Sequence, residues 1–405
     1  MPFALHRGSP VRGRRLSIIQ TRPGQLLATV VGATVAFAVP AQAHVKWFAP
    51  YIVDAAPQPI GVNLTNVWFW IGIALALTVF LATIAVETRS VGRSVLAGMD
   101  RISAPLAIRS DDFMRAATAA FFVAIFAVGG VYLTPDLQTP SELVSWAQLA
   151  IAAGIFSRKT MPLSALGIIA LWLVALKDYD VFHLLDYLAL GVGVAGYLLL
   201  ASTDDARWHE KRFVVLFWGV AIALMWSSLE KFAYPNWFYP LVEEKPFLTF
   251  GIPRDIFIPM AGVAEFTLGF GLIWTPLVRR LSAVALLIIF TAAVYPFGRI
   301  DLVGHAMIMA ALILIAVDPL SKRAAPVPRQ PAAIAHARSL AAVTMSLALA
   351  LVAVSSSYWG LHATFYGANG RATAGQISTH TYSPEHPHGP GTPAISKPDP
   401  QAHSQ

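Results

Sequence analysis

Apolar stretches long enough to cross a bilayer follow one another along almost the whole chain, and they settle the class of fold before anything else is read. They fall near 63–86, 113–134, 141–157, 161–176, 181–201, 212–230, 256–274, 280–297, 300–317 and 338–359. A helix of about 20 apolar residues spans ~30 Å of hydrocarbon. Lipid offers no partner to backbone N–H and C=O groups, so such segments are helical. The expected fold is all-α: a polytopic membrane protein with about ten transmembrane helices. Composition agrees. The 405 residues are 56% hydrophobic and only 13% charged, about half the ~25% charge of a soluble domain, which excludes a soluble globular enzyme. With no cysteine, the chain cannot supply disulfides, iron–sulfur ligands or thiolate metal sites.

The amino terminus reads as an export signal. Arg7, Arg12, Arg14, Arg15 and Arg22 form a basic leader, Leu26 to Val39 is apolar, and Ala41-Gln42-Ala43 after Pro40 is a small-x-small cleavage site. Residues 1–43 are thus expected to be removed, leaving 44–62 as a periplasmic segment. An uncleaved anchor would place His44 on the same side.

Loop charges test the layout. With 44–62 outside, inner segments hold sixteen basic residues, including Arg89, Arg115, Arg158, Lys159, Arg212, Arg279 and Arg280, against eight outside, including Lys46, Lys177, Lys231 and Arg299. This two-to-one bias follows the positive-inside rule. It also accounts for the net charge of +7 without nucleic acid, since no basic patch is interleaved with aromatics on a soluble module. The expected location is the inner (plasma) membrane of a bacterial-type cell, with the mature N-terminus and the tail outside.

Residues 113–201 and 212–319 read as two copies of one four-helix unit. Each begins at an inner arginine, Arg115 or Arg212, and each second helix ends at a basic pair, Arg158-Lys159 or Arg279-Arg280. Each fourth helix opens with a basic residue six positions before a histidine: Lys177 with His183, and Arg299 with His305. An even number of spans per copy makes the repeat parallel. The helices 63–86 and 338–359 flank the two units.

The second unit contains Trp226-Ser227-Ser228-Leu229-Glu230-Lys231-Phe232, then Phe250-Gly251-Ile252-Pro253, Ala264-Glu265-Phe266, Gly269-Phe270-Gly271 and Gly304-His305. In this order it resembles the DoxX-like family of four-helix membrane proteins over about a quarter of the chain. The resemblance implies association with membrane redox assemblies, quinone-linked sulfur oxidation and partners of oxidant-defence enzymes among them. The first copy has no acid equivalent to Glu265.

Glu265 falls about ten residues into its helix, near the midplane at ~1.5 Å per residue. An ionised acid there costs roughly 3 kcal/mol unless paired, protonated or wetted. Gly262 and Gly269 share its face, so a neighbouring helix can approach. Two readings follow: a proton-handling or quinone-anchoring carboxyl, or polar glue. Glu230 and Lys231 end one helix; Arg299, Asp301 and His305 open another. Asp301 and His305 share a helical face, a candidate proton relay between the outside and Glu265. Oppositely charged side chains satisfying one another is the plainer account of Lys231 and Arg299. The aromatic loop around Trp237 is expected at headgroup level, where with Glu230, Lys231 and Arg299 it would border a quinone site.

A rival site lies at the mature N-terminus, where a free amine beside His44 forms a nitrogen chelate suited to copper(II), with tail histidines such as His362, His386 and His388 as further ligands. The tail (360–405) is rich in Gly, Pro, Ser and Thr and is expected to be disordered; 324–335 reads as a proline-stiffened linker. No phosphate-cradling glycine loop, His-Glu-x-x-His or nucleophile elbow occurs. The expectation is a quinone- or proton-linked membrane subunit or accessory factor serving a redox partner protein, with catalysis by the chain itself left open. A copper-binding or transport protein and a structural assembly factor are the alternatives.

Overall fold

A computed structural model describes residues 45–49, 51, 55–318 and 332–370. No strand occurs among these residues, and helices make up 81% of them. In chain order they are α1 (Ile60–Thr65), α2 (Val67–Glu87), α3 (Ser90–Ile108), α4 (Ser110–Val128), α5 (Glu142–Gly154), α6 (Met161–Ala175), α7 (Val181–Ser202), α8 (Ala206–His209), α9 (Arg212–Ser228), α10 (Glu230–Ala233), α11 (Pro235–Glu244), α12 (Arg254–Gly271), α13 (Pro276–Val317) and α14 (Ala332–Tyr366). Five helical stretches are long and apolar enough to cross a membrane: Val67–Glu87, Val181–Ser202, Ala206–Ala233, Pro276–Val317 and Leu340–Tyr366. The others expected to cross fall short for physical reasons. α5 has 13 residues and α6 has 15, while α4 and α12 carry charged first turns, Asp111-Asp112 and Arg254-Asp255.

The 42 residues of α13 form a helical hairpin. Gly298 has φ 73° and ψ −158°, a conformation that a residue with a Cβ rarely adopts. The Arg280 guanidinium donates to the Val317 carbonyl at 2.8 Å, whereas a straight helix would hold residues 37 apart at ~55 Å. Farther up, the Phe290 and His305 rings lie 4.6 Å apart across the two arms. The arms close at the end opposite the turn. There Arg279 pairs with Asp318 at 3.1 Å and Arg280 with Asp100 at 2.6 Å. The bundle thus has a turn end, marked by Gly298, and an arginine end.

α7 and α9 meet backbone to backbone. A Cβ on Gly219 would lie 2.6 Å from the Gly193 Cα and 2.7 Å from the Ala189 carbonyl, so neither glycine can be enlarged unless the helices part. Gly219→Ala is expected to cost about 1–3 kcal/mol by overpacking, read as a lowered thermal midpoint. Gly191→Ala, whose new Cβ would come no nearer than 4.0 Å to Ile168 Cγ2, should leave the midpoint unchanged.

Four segments differ from the sequence expectation. Residues 90–108 form a helix, α3, where only an inner loop was foreseen. Ile102 and Ile108 are exposed on it while Asp100 reaches Arg280, as in a helix lying along an interface. α14 begins at Ala332, within the segment read as a linker, and runs to Tyr366, so 360–366 are helical rather than disordered tail. Tyr358, His362 and Tyr366 recur every four residues on one buried face, and each packs on Phe182. His362 is therefore a core residue there. The arginines opening the two four-helix units also act differently. Arg212 forms a two-pronged pair with Asp111, both contacts at 2.7 Å. Arg115 instead donates to the Ile155 and Phe156 carbonyls at the end of α5.

Candidate functional site: a charged chamber at the turn end

Polar residues that the sequence scatters over four segments converge near the Gly298 turn. α9 stops at Ser228, and a one-residue joint at Leu229 leads into the short α10. This break sends the consecutive side chains of Glu230 and Lys231 to different partners. The Lys231 ammonium lies 2.6 Å from Glu265 on α12 and 4.8 Å from the centre of the Phe238 ring. The approach depends on Gly262: a Cβ there would lie 2.8 Å from the Phe232 ring and 3.1 Å from the Lys231 Cβ. Gly269 admits Leu224 and Met225 of α9 in the same way. Glu265 is thus paired, one of the three ways an acid at that depth is tolerated.

Glu230 faces the N-terminal segment. Val45–Trp47 form a single 3₁₀ turn, and Lys46, only 2% exposed, ion-pairs with Glu230 at 2.7 Å and with Asp186 of α7. Trp226 donates its indole N–H to the other Asp186 oxygen at 2.8 Å. The Tyr51 and Trp237 rings each stand 5.7 Å from the Lys46 ammonium, within cation–π range. Burial alone would push Lys46 down, but the two carboxylates outweigh it and hold its pKa above the usual lysine range. The Tyr51 hydroxyl is pushed up, first by burial and then by the Asp136 charge.

On α13, Asp301 and His305 lie one turn apart with Oδ1 and Nδ1 3.1 Å from each other. Asp301 is fully buried and His305 is 5% exposed. A second buried acid, Asp136, sits in the connection between α4 and α5. It accepts hydrogen bonds from Thr134 at 2.5 Å and from Tyr187, and its Oδ2 lies 3.4 Å from His183 Nε2. The loop that carries it is pinned by Gln148, which donates to the Val131 and Tyr132 carbonyls at 2.6 and 2.8 Å.

These groups surround one cavity of about 80 Å³ lined by Asp186, Tyr187, Glu230, Lys231, Glu265 and His305, with Val45, Phe238 and Phe290 among its apolar walls. A single water needs only ~10–15 Å³, so several fit. Of the residues expected from sequence, Glu230, Lys231, Glu265 and His305 line the cavity and Asp301 supports His305 from behind. Arg299 is exposed beside the hairpin turn and does not line it. Trp237 stacks on Tyr234, centroids 4.0 Å apart, and borders the Lys46 segment rather than the chamber. His44, His386 and His388, the copper reading's ligands, lie outside the described residues, as does the signal segment 1–43. Among the described residues no group of three or more His, Asp or Glu side chains could hold a metal ion.

Sequence reasoning missed Lys46, which it left in an outer segment, and Asp136. Their partners are 140 and about 50 residues away, with no local spacing to reveal them. The available signal was the scarcity of charge: acids and lysines inside a chain this apolar need partners, and Lys46 was an unassigned cation.

Fold and site together define a helical membrane-embedded protein with a charged chamber near one end of the bundle. No family model, curated protein or solved structure matches the chain.

Proposed function

We propose that this is a ten-span inner-membrane protein of two DoxX-like four-helix units, with the turn end facing the periplasm, and that the chamber handles protons for a membrane redox partner. The observation that carries this reading is the chamber's charge balance. Asp136, Asp186, Glu230, Glu265 and Asp301 bring five carboxyls into or against it, with Lys46 and Lys231 the only lysines there among the described residues. Unmatched charges in such surroundings are costly, and these carboxyls, with His183 and His305 beside them, are groups able to take up and pass on protons. Waters in the cavity would connect Glu265 with the Asp301–His305 pair. The hairpin supports the span count, because its two arms give α13 two passages where one long helix is counted.

A quinone fits the donor set. The Lys231 ammonium and the His305 imidazole can donate to carbonyl oxygens, and Phe238 and Phe290 offer ring faces. A bound quinone would supply the electron-carrying chemistry that these side chains lack. Glu265→Gln removes the one chamber carboxyl that sits at membrane depth on α12. It is expected to abolish most quinone co-purifying with the protein and to cut proton uptake, measured with a pH dye in proteoliposomes, by tenfold or more. Uptake and quinone content equal to those of the parent protein would refute the reading.

A further inference from the structure

The N-terminal segment touches α7, α10, α11 and α13, four of the elements around the chamber. Val45 lines the cavity, and Lys46 bridges α7 and α10 through Asp186 and Glu230. Phe48 packs on Phe297 beside the hairpin turn, centroids 4.7 Å apart, and Tyr51 packs on His183 of α7 and Trp237 of α11. Val45, Lys46, Ala49 and Tyr51 are at most 2% exposed. Yet the segment belongs to no α-helix. Its own backbone bonds are the short-range ones from Phe48 and Ala49 to the Val45 carbonyl. Side chains thus contribute its long-range contacts, and among the described residues 45–49 and 51 the only charged one is Lys46.

We propose that residues 45–49 and 51 form a lid over the chamber, latched by the Lys46 ammonium on Asp186 and Glu230, and that releasing the latch opens the chamber to the compartment at the turn end. The lid rests on the reading of the chamber as the working site, but its own content is access. An ammonium between two carboxylates holds firmly while both are ionised, and neutralising either one loosens it. Around the latch, Trp226 donates to the second Asp186 oxygen, and the Tyr51 and Trp237 rings flank the ammonium. Lys231, the other lysine at the chamber among the described residues, is engaged with Glu265.

The chain has no cysteine, so a single introduced thiol reports without background. Ala223 lines the chamber and is 5% exposed. In the full-length protein, Ala223→Cys should react slowly with a charged, membrane-impermeant methanethiosulfonate. Adding Lys46→Met should speed the reaction tenfold or more, whereas Lys46→Arg, which keeps the latch, should leave it slow. The triple change Lys46→Met, Asp186→Asn, Glu230→Gln removes the latch without leaving an unpaired charge and should react as fast as Lys46→Met. Phe247→Cys, placed at an exposed residue, should react equally in every background and controls for reagent delivery, while a monodisperse size-exclusion profile reports intact folding. Equal Ala223→Cys rates with and without Lys46 in either unlatched variant would overturn the lid. Glu265→Gln should leave the Ala223→Cys rate unchanged, so a failed proton assay and a failed lid are told apart.

Discussion

Replacing Lys46 by methionine is expected to destabilise the protein by about 3–5 kcal/mol, the usual cost of removing one partner from a buried ion pair. Methionine fills much the same volume, so little of the loss comes from packing. It comes from Asp186 and Glu230, each with a side chain 2% exposed, left facing each other without their cation. Adding Asp186→Asn and Glu230→Gln to Lys46→Met should recover most of that loss, because no unmatched charge then remains. Unfolding in mixed micelles, with the midpoint and its slope recorded for each variant, checks both statements. If Lys46→Met were as stable as the parent protein, the ion-paired arrangement at the turn end would be wrong.

Asp318→Ala should be of similar size at the arginine end. Asp318 is 1% exposed and faces Arg279 at 3.1 Å and Arg280 at 3.9 Å. Its loss leaves Arg280, also 1% exposed, with only Asp100 as an ionic partner among the described residues. The expected cost is about 3–5 kcal/mol. Asp318 also has φ 49°, a left-handed conformation that costs an ordinary residue roughly 1–2 kcal/mol. Asp318→Gly should therefore be the milder change by about 1 kcal/mol, and that difference isolates the backbone strain from the lost charge. Equal melting curves for the alanine and glycine variants would remove the strain argument.

The helical class was legible because lipid allows little else, and the long apolar runs mark α2, α7, α9 and α14 directly. Glu265, with Gly262 and Gly269 on its face, announced a close helix approach, and the approaching residue proved to be Lys231. Asp301 and His305 were readable together because four residues make one helical turn. Arg299 shows the limit: its match to Lys177, six positions before a histidine, carries no information about which way a side chain turns, and it stays exposed. Lys46 lay beyond sequence reasoning because the bond that fixes it closes a loop of 140 residues. α3 was hidden for a different reason. Its apolar residues cover one face only, so a search for continuous spans passes over it.

The contact between Gly193 and Gly219 has a mechanical consequence. There the backbones of α7 and α9 meet directly, and the contact stands seven residues from Asp186 and eleven from Glu230 along the chain. At 1.5 Å per residue the two carboxylates lie roughly 10–16 Å beyond that point, so rocking either helix by about 10° about it would spread them by some 2 Å or more. That is comparable to the difference between a closed and a broken hydrogen bond. The glycines thus act as a fulcrum, and a modest tilt of one helix, imposed from anywhere along its length, would be magnified where the ammonium is gripped.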